Sequence, residues 1–378
     1  MRELTAALVM IALALLACGG GEPQEANGNG QPESVDGQLE VDRSIVVLDS
    51  IGVELGDSNY VFGQPQVVSW TPEGNIAVLD MQLAEVRVFD GQGSYLYRFG
   101  REGSGPGEFL MPTALAVSPD GRFVVSDAMG RKLLFFDGDG THLRSMEGFF
   151  PTPPLMIEAL DSAIVGAHYD MQQTEEGMLS GMSLCRWEDD IAPVVNYHSD
   201  LEPFNPETFA SEMGQNMVIF TTSPDGRVYR SSVNPEQYVL VGYEPDGTEF
   251  LRVEEQITPV PKTTEEINEE REMVRNRMIQ SGAPPSMAEG YEPQPNRPSV
   301  AGMHVDDEGR LWIRLGTTDA PTFRVLDADG QELFVAAVEY SGENSNWTFS
   351  GLQDGRMLAV DVNPEMFPKV YILELEGE

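Results

Sequence analysis

The sequence predicts an all-β fold, a six-bladed β-propeller with four-stranded blades, from three observations. Its 378 residues include 38 glycines and 26 prolines, a composition that favours a turn-rich β protein. Apolar residues make up 41% of the chain, which is enough for a substantial core. Two segments repeat without gaps, and the equivalent glycines Gly74 and Gly121 lie 47 residues apart. Repeats spaced at about 40–50 residues are typical of propellers.

The repeated unit contains the strands of one blade. Thr71–Asp80 aligns with Ser118–Asp127, and each segment holds a Glu-Gly or Asp-Gly turn followed by an apolar strand. A short loop leads to a third strand, Leu133–Phe136, and a second turn at Asp137–Gly140 leads to a fourth. Asp-Gly between apolar runs favours a hairpin because glycine adopts positive φ without strain. Four antiparallel strands make one blade.

Further copies of the unit follow in more divergent form, and they bring the number of blades to six. The clearer copies begin at Ser223–Tyr229, Asp306–Ile313 and Gln353–Leu358, and a weaker one lies around Leu160–Trp187.

The last unit lacks its fourth strand, because the chain ends soon after the third strand at Val370–Glu374. The segment Leu39–Leu48 precedes the first blade and has no blade of its own. We therefore expect this N-terminal strand to complete the last blade and close the ring, which leaves no open first and last blade edges.

The start of the chain predicts an export signal. Residues 4–17 are nearly all apolar, a run too short for an ordinary membrane span and typical of a signal-peptide core. Leu15-Leu16-Ala17-Cys18-Gly19 resembles the bacterial lipobox, which implies a signal peptide over 1–17 and a lipid on Cys18. The alternative is a plain secretory signal with a chance cysteine. Residues 18–37 are polar and glycine-rich, as expected of a disordered tether, and the propeller is expected to span 38–378.

Charge and cysteine content exclude several classes of function. The net charge of −39 argues against nucleic acid as a partner and against electrostatic docking onto anionic lipid. It indicates either a solvated acidic surface or a cation-binding surface. The second cysteine, Cys185, is expected to be a small core residue on a strand, and no intrachain disulfide is expected.

One stretch resembles the NHL repeat closely. The residues that carry the resemblance are Phe99–Phe109, Pro112, Ala116–Gly121, Val125–Asp127 and Leu133–Asp137. The match is close over about residues 60–146 and looser beyond, and Lys132 stands where the NHL pattern usually has arginine. The whole chain resembles the six-bladed propeller lipoproteins of bacteria.

Insertions in the repeated four-stranded unit indicate which face of the disc-shaped propeller is the binding face. Turns between first and second strands and between third and fourth strands lie on one face, and they are mostly tight. Long segments fall on the opposite face, where binding usually resides: Arg101–Met111, Ala167–Met182, Asn196–Gln215, Glu255–Pro298 and Asp361–Pro368. The candidate ligand-binding residues on that face are Arg101, Glu108, His168, Tyr169, Asp170, Asp361 and Asn363.

The longest insertion predicts a helix over 263–281. Thr263 and Glu266 fit a capping box, and Ile267, Val274 and Met278 can share one face. Such a helix could be a lid packed on the propeller or a docking element for a partner.

No metal site or catalytic residue is predicted. Asp137–Gly140 and Asp327–Gly330 look like fragments of calcium loops, but they lack the spaced third ligand and the bidentate glutamate. The four histidines are scattered, without zinc-type spacing. No cofactor is therefore expected.

These features predict a monomeric binding or scaffolding module of the cell envelope, periplasmic or at the cell surface, whose looped face takes a protein, a peptide or a small ligand. Gly19 after the cysteine favours the outer membrane by resemblance to enterobacterial sorting patterns. The alternative, implied by related propellers, is a lactonase-like hydrolase or a lyase with a divalent metal such as calcium in the central channel.

Overall fold

The computed structural model describes residues 39–175, 177–205, 216–280, 288–340, 347–361 and 367–377. The predicted signal peptide, the lipidation site Cys18, the tether up to residue 37 and the candidate residue Asn363 lie outside these ranges. Among the described residues, no helix is long and apolar enough to cross a membrane.

The described strands form six blades, as the repeat predicts. The first strand, β1 (Arg43–Ile51), precedes them. Blade 1 contains β2 (Pro65–Trp70), β3 (Ile76–Asp80), β4 (Glu85–Phe89) and β5 (Tyr95–Phe99). Blade 2 contains β6 (Pro112–Val117), β7 (Phe123–Asp127), β8 (Lys132–Phe136) and β9 (His142–Glu147). Blade 3 contains β10 (Met156–Ala159), β11 (Ile164–Thr174), β12 (Gly177–Trp187) and β13 (Val195–Pro203).

The second half of the ring follows the same order and includes a helix in the link between blades 4 and 5. Blade 4 contains β14 (Val218–Thr222), β15 (Val228–Ser232), β16 (Gln237–Tyr243) and β17 (Glu249–Gln256), and helix α1 (Thr264–Gln280) follows it. Blade 5 contains β18 (Val300–Val305), β19 (Leu311–Leu315), β20 (Thr322–Leu326) and β21 (Glu332–Glu339). Blade 6 contains β22 (Trp347–Phe349), β23 (Arg356–Asp361) and β24 (Val370–Leu375).

Strand β1 closes the ring. It pairs antiparallel with β24, from Ile45 opposite Leu375 to Ile51 opposite Val370, and so supplies the fourth strand of blade 6. The N-terminal closure predicted for Leu39–Leu48 is confirmed, with its bounds moved to Arg43–Ile51. Strand β1 also pairs in parallel with β21 of blade 5, which merges blades 5 and 6 into one eight-stranded sheet. The sequence did not indicate this second pairing.

The core lies between blades, where apolar strand faces of neighbouring blades meet. Trp70, Trp312 and Trp347 are 8%, 0% and 1% exposed, and they pack in the clusters between blades 1 and 6 and between blades 5 and 6. Cys185 is 1% exposed on β12, as expected of a core residue on a strand.

The aspartate that ends each clear repeat is a structural residue. Asp127, at the end of β7, is fully buried, and its carboxylate accepts backbone N–H bonds from the blade 1–2 link and from the loop after β7. Asp80 has the same place one blade earlier. The donors are Leu110, Met111 and Gly130 for Asp127, and Gly63, Gln64 and Leu83 for Asp80. Charge-assisted bonds of this kind fix both segments on the face where they meet.

This strand order gives the disc two distinct faces. The tight-turn face carries the first-to-second and third-to-fourth turns, and the looped face carries the second-to-third loops and the links between blades. Two of the predicted loop insertions are instead strand extensions. Most of Ala167–Met182 belongs to β11 and β12, which pair up to Thr174 opposite Gly177, and Asn196–Pro203 belongs to β13. Apolar and polar residues alternate in these segments, and this pattern is compatible with longer strands in place of loops.

Candidate functional site on the looped face

Helix α1 begins with the capping box that the sequence predicts. The Thr263 N–H donates to the Glu266 carboxylate at 2.6 Å, and the Glu266 N–H donates to Thr263 Oγ1 at 3.2 Å. Both bonds satisfy donors at the start of the helix that have no partner within it.

The underside of α1 packs across the ring. Val274 and Met278 are both 0% exposed, and they belong to the same apolar cluster as Met111 and Leu155, from the links between blades 1 and 2 and between blades 2 and 3. Met273 packs on a second cluster, which joins blades 1 and 6. Ile267, predicted to share this face, is only half-buried. Since α1 is attached between blades 4 and 5, it crosses the disc and covers the looped-face mouth of the channel. This is the packing expected of a lid.

Polar contacts fasten the lid at its edges. Arg297 donates to Glu266 at 2.8 Å and to Asp319 at 2.7 Å. Lys262 pairs with Glu270, which also accepts a bond from the Tyr291 hydroxyl at 2.6 Å. The Arg297–Glu266 and Lys262–Glu270 pairs are mostly buried, so solvent and salt screen them less than exposed pairs.

The candidate residues His168, Tyr169 and Asp170 lie next to each other on β11 but do not face one site. Successive side chains on a strand point to opposite faces. His168 lies towards blade 2, where its ring packs edge-on to Trp187 at a centroid distance of 5.2 Å. Tyr169 is buried in the cluster that includes the underside of α1. Asp170, on the His168 side, accepts a bond from Gln172 at 2.9 Å.

His168 lies near a thiol, but the pair does not have the properties of an activated nucleophile. Its Nε2 atom lies 3.7 Å from Cys185 Sγ. Burial raises the pKa of the Cys185 thiol to about 12 and lowers the pKa of His168. Both groups are therefore neutral near pH 7, whereas reactive cysteines are thiolates in electropositive, accessible surroundings.

Arg101 and Glu108 are brought together by the blade 1–2 link that contains them. The Arg101 guanidinium donates to Glu108 Oε1 at 2.8 and 2.6 Å, and the Gly105 N–H donates to Oε2 at 2.8 Å. The Gly105 bond, followed by Arg101, lowers the pKa of Glu108. Gly100 has a φ of +80°, and a Cβ there would lie 2.2 Å from the Phe109 ring. These contacts shape the link itself, while the Arg101 side chain stays 80% exposed.

Asp361 lies apart from the other candidates. It ends β23 in blade 6 and is half-buried there. Among the described candidates, the structure therefore brings only Arg101 and Glu108 together, in the link between blades 1 and 2. The β11 residues lie in blade 3, and Asp361 lies in blade 6.

A group of exposed apolar side chains on this face was missed by the sequence reasoning. It consists of Leu83, Leu110, Met129 and Phe150, which we call the apolar rim; these side chains are 40–55% exposed. They lie in the loops and links of blades 1 and 2, and Arg131 stacks 5.3 Å from the Phe150 ring centroid. One signal in the sequence could have indicated these side chains. Leu110 and Met129 are apolar residues in a link and a loop, and Asp127 fixes the backbone of both segments.

The hydrolase or lyase alternative requires side chains that converge on a divalent metal. Among the described residues, no group of three or more His, Cys, Asp or Glu side chains lies where it could hold a metal ion.

Comparisons with known proteins yield a family and distant structural neighbours. No curated protein matches the sequence. The PQQ-bound aldose sugar dehydrogenase of Streptomyces coelicolor is 14% identical over 89% of this chain and 100% of its own, with a TM-score of 0.49. The calcium-binding protein regucalcin of Agrobacterium tumefaciens is 11% identical over 89% of this chain and 97% of its own, with a TM-score of 0.43. Similarity this low says nothing about the activity of this chain.

The family match extends over more than half of the chain. The model of the DUF5128 family, described as a 6-bladed β-propeller, matches residues 51–270, from the end of β1 into helix α1. The blades described above agree with that description. The chain therefore belongs to the DUF5128 family of six-bladed β-propellers.

Proposed function

We propose that this chain is a lipid-anchored protein of the bacterial cell envelope whose propeller binds a protein or peptide partner on its looped face. The observation that carries the proposal is the apolar rim, because exposed apolar side chains concentrated in the loops and links of two neighbouring blades favour a partner site. A small ligand entering the channel is favoured less, since α1 covers the channel mouth on this face.

The charge of the chain restricts the partner. With a net charge of −39, the protein attracts basic surfaces over long range and repels acidic ones. The partner we expect therefore has apolar side chains flanked by lysine or arginine.

The direction of β1 supports an orientation in which the looped face points away from the membrane. Strand β1 runs antiparallel to β24 and ends at the link to blade 1 on the looped face, so it begins at the tight-turn face. A lipid on Cys18 would therefore attach to the propeller through the tight-turn face. The looped face would then point away from the bilayer, at the end of a tether spanning about 25 Å.

A peptide selection tests the binding face. The full-length protein in detergent is screened against a displayed random peptide library, and the enriched peptides are synthesised for affinity measurement. We expect apolar, basic peptides whose affinity falls at least about tenfold in Phe150→Glu, because the change adds a charge to an apolar contact. The matched control is Val194→Glu, since Val194 is 54% exposed in a turn on the opposite face. Equal affinity for the wild type and Phe150→Glu would overturn the proposal for this face.

Membrane association is tested separately with Cys18→Ser in a bacterial host. We expect wild-type protein to fractionate with membranes and to incorporate a labelled fatty acid, and the variant to do neither. Labelling that persists in Cys18→Ser would refute lipid attachment at Cys18, and it would leave the conclusion on peptide binding unchanged.

A further inference from the structure

The facing sides of blades 3 and 4 carry several positive side chains, which is unusual in a chain with only 23 Lys and Arg residues against 62 Asp and Glu. On blade 3, His198 lies opposite Leu184 in the strand pairing, and Leu184 belongs to the apolar cluster shared with blade 4. On blade 4, Arg230 and Arg252 both pair with Val241 of the same cluster. Residues opposite each other in antiparallel strands share a face, so the His198 imidazole and the guanidinium groups of Arg230 and Arg252 point into one inter-blade space.

We call this space the blade 3–4 crevice, formed by Arg186, His198, Asp200, Arg230 and Arg252. His198 and Asp200 lie on the outer strand β13, and Arg252 lies on the outer strand β17. His198 is half-buried, Asp200 is exposed, and the Arg252 side chain is 44% exposed at the rim.

Arg230 is the most buried arginine of the crevice, and among the described residues no salt bridge holds it, whereas Arg186 and Arg252 each have at least one. It is 8% exposed, and its Nε is buried without a hydrogen-bond partner. Arg252 binds Glu249 and Glu254 at 2.5 and 2.6 Å, and Arg186 pairs with Glu188 at 3.3 Å. Glu188, Glu249 and Glu254 are therefore bound by other arginines. The bond from Arg252, and last the charge of Arg230, lower the pKa of Glu249, and the Asp200 carboxylate lies near His198. A buried charge is costly unless an opposite charge balances it, so the position of Arg230 favours an anionic ligand.

We propose that the blade 3–4 crevice binds a small oxyanion, a carboxylate or a phosphate, with the Arg230 guanidinium as its direct ligand and His198 and Arg252 beside it. Guanidinium groups match the oxygens of both anions through paired N–H bonds.

The pKa of His198 responds to the charges around the crevice. Burial, and next the charge of Arg230, lower the pKa of His198 to about 4, while Asp200 opposes this and Arg252 adds to it. An anion bound between Arg230 and His198 would favour the imidazolium and raise this pKa. Glu249 and Glu254 also face the crevice, but both bind Arg252.

Titration of the full-length protein with sodium phosphate, and separately with sodium succinate, tests the proposal, with sodium chloride at equal ionic strength as reference. We expect a saturable rise in melting temperature with at least one anion, and an upward shift of the His198 pKa in NMR titration. The anion that gives the larger response identifies the class. No saturable response to either anion beyond the chloride reference would overturn the proposal.

Arg230→Met separates binding from folding. In anion-free buffer we expect it to melt no lower than wild type, because the change removes a buried charge that no salt bridge from the described residues holds. Its affinity for the anion should fall by about tenfold or more. Arg324→Met is the matched control, since Arg324 is a strand arginine bound to Glu332 outside the crevice, and its affinity should equal that of wild type. Undiminished affinity in Arg230→Met would also overturn the proposal.

Discussion

At the scale of single residues, buried polar groups connect neighbouring blades at the channel. Glu158, on the innermost strand of blade 3, accepts bonds from the Thr222 N–H at 2.6 Å and its hydroxyl at 2.7 Å, in blade 4. The Thr221 hydroxyl in turn accepts the Val305 N–H of blade 5 at 3.2 Å. Three consecutive inner strands are thus joined by side chains rather than by a sheet ladder.

Glu158 makes the stability of the protein depend on pH near neutrality. Burial raises its pKa to about 7, against the bonds from Thr222, which lower it. The folded state therefore binds this proton more tightly than the unfolded state. The resulting stability is fully present below the ordinary glutamate pKa of 4.5 and is lost as pH rises through about 7.

We expect Glu158→Gln to flatten the fall in melting temperature between about pH 5 and about pH 8, because glutamine does not titrate. The measurement is a set of thermal melts of wild type and variant across this range. Glu202→Gln, an exposed glutamate on β13, removes the same charge and should leave the slope unchanged. Parallel curves for wild type and Glu158→Gln would contradict the assignment.

At the scale of elements, the feature with most consequence is a helix packed on a propeller by few side chains. The mean hydropathy of α1 is low, and only its underside reaches the cores of the two apolar clusters, through Met273, Val274 and Met278. Its attachment is therefore expected to be weaker than the packing of the blades, so the lid can open without unfolding the ring.

We expect Met278→Ala to destabilise the lid by about 2–5 kcal/mol, the usual cost of truncating a buried methionine. Amide hydrogen exchange read by mass spectrometry should accelerate in residues 264–280 and stay unchanged in β6–β9. Ile279→Ala is the control, because the adjacent Ile279 is 47% exposed. If exchange accelerated equally in the lid and the blades, α1 would be part of the cooperative core instead.

At the scale of the whole molecule, ring closure depends on one strand with two partners. Ile45 of β1 is fully buried, within the cluster that joins blades 5 and 6, and it pairs with Val338 on one side and Leu375 on the other. Weakening β1 therefore loosens two blades together.

We expect Ile45→Ala to lower the free energy of unfolding by about 2–5 kcal/mol, through the cavity left in this cluster. Hydrogen exchange should accelerate in both β21 and β24. Leu48→Ala, at a half-exposed position of the same strand, should have little effect. Acceleration confined to β24 would show that the parallel pairing with β21 contributes nothing to closure.

The parts of this molecule that the sequence predicts are those governed by local chemistry. Glu-Gly and Asp-Gly turns specify hairpins, so the blades were predictable from Gly74 and Gly121. The capping box at Thr263 located the start of α1 to one residue. The pairing of β1 with β21 was not predictable, because it joins segments almost 300 residues apart and leaves no local pattern.

The candidate site was less predictable than the fold for the same reason. His168, Tyr169 and Asp170 looked like one cluster in sequence, but strand alternation sends them to opposite sides of blade 3. Arg230 and His198 carry no motif, and they meet only because two strand registers on different blades bring them to the same space.

The double pairing of β1 also has a mechanical consequence. A pull on the chain from its N-terminal end acts along the axis of β1, parallel to two ladders of hydrogen bonds. Load applied in this shear direction is shared by many bonds at once instead of peeling them one after another. Tension applied at the N-terminal end should therefore unfold the ring only at high force.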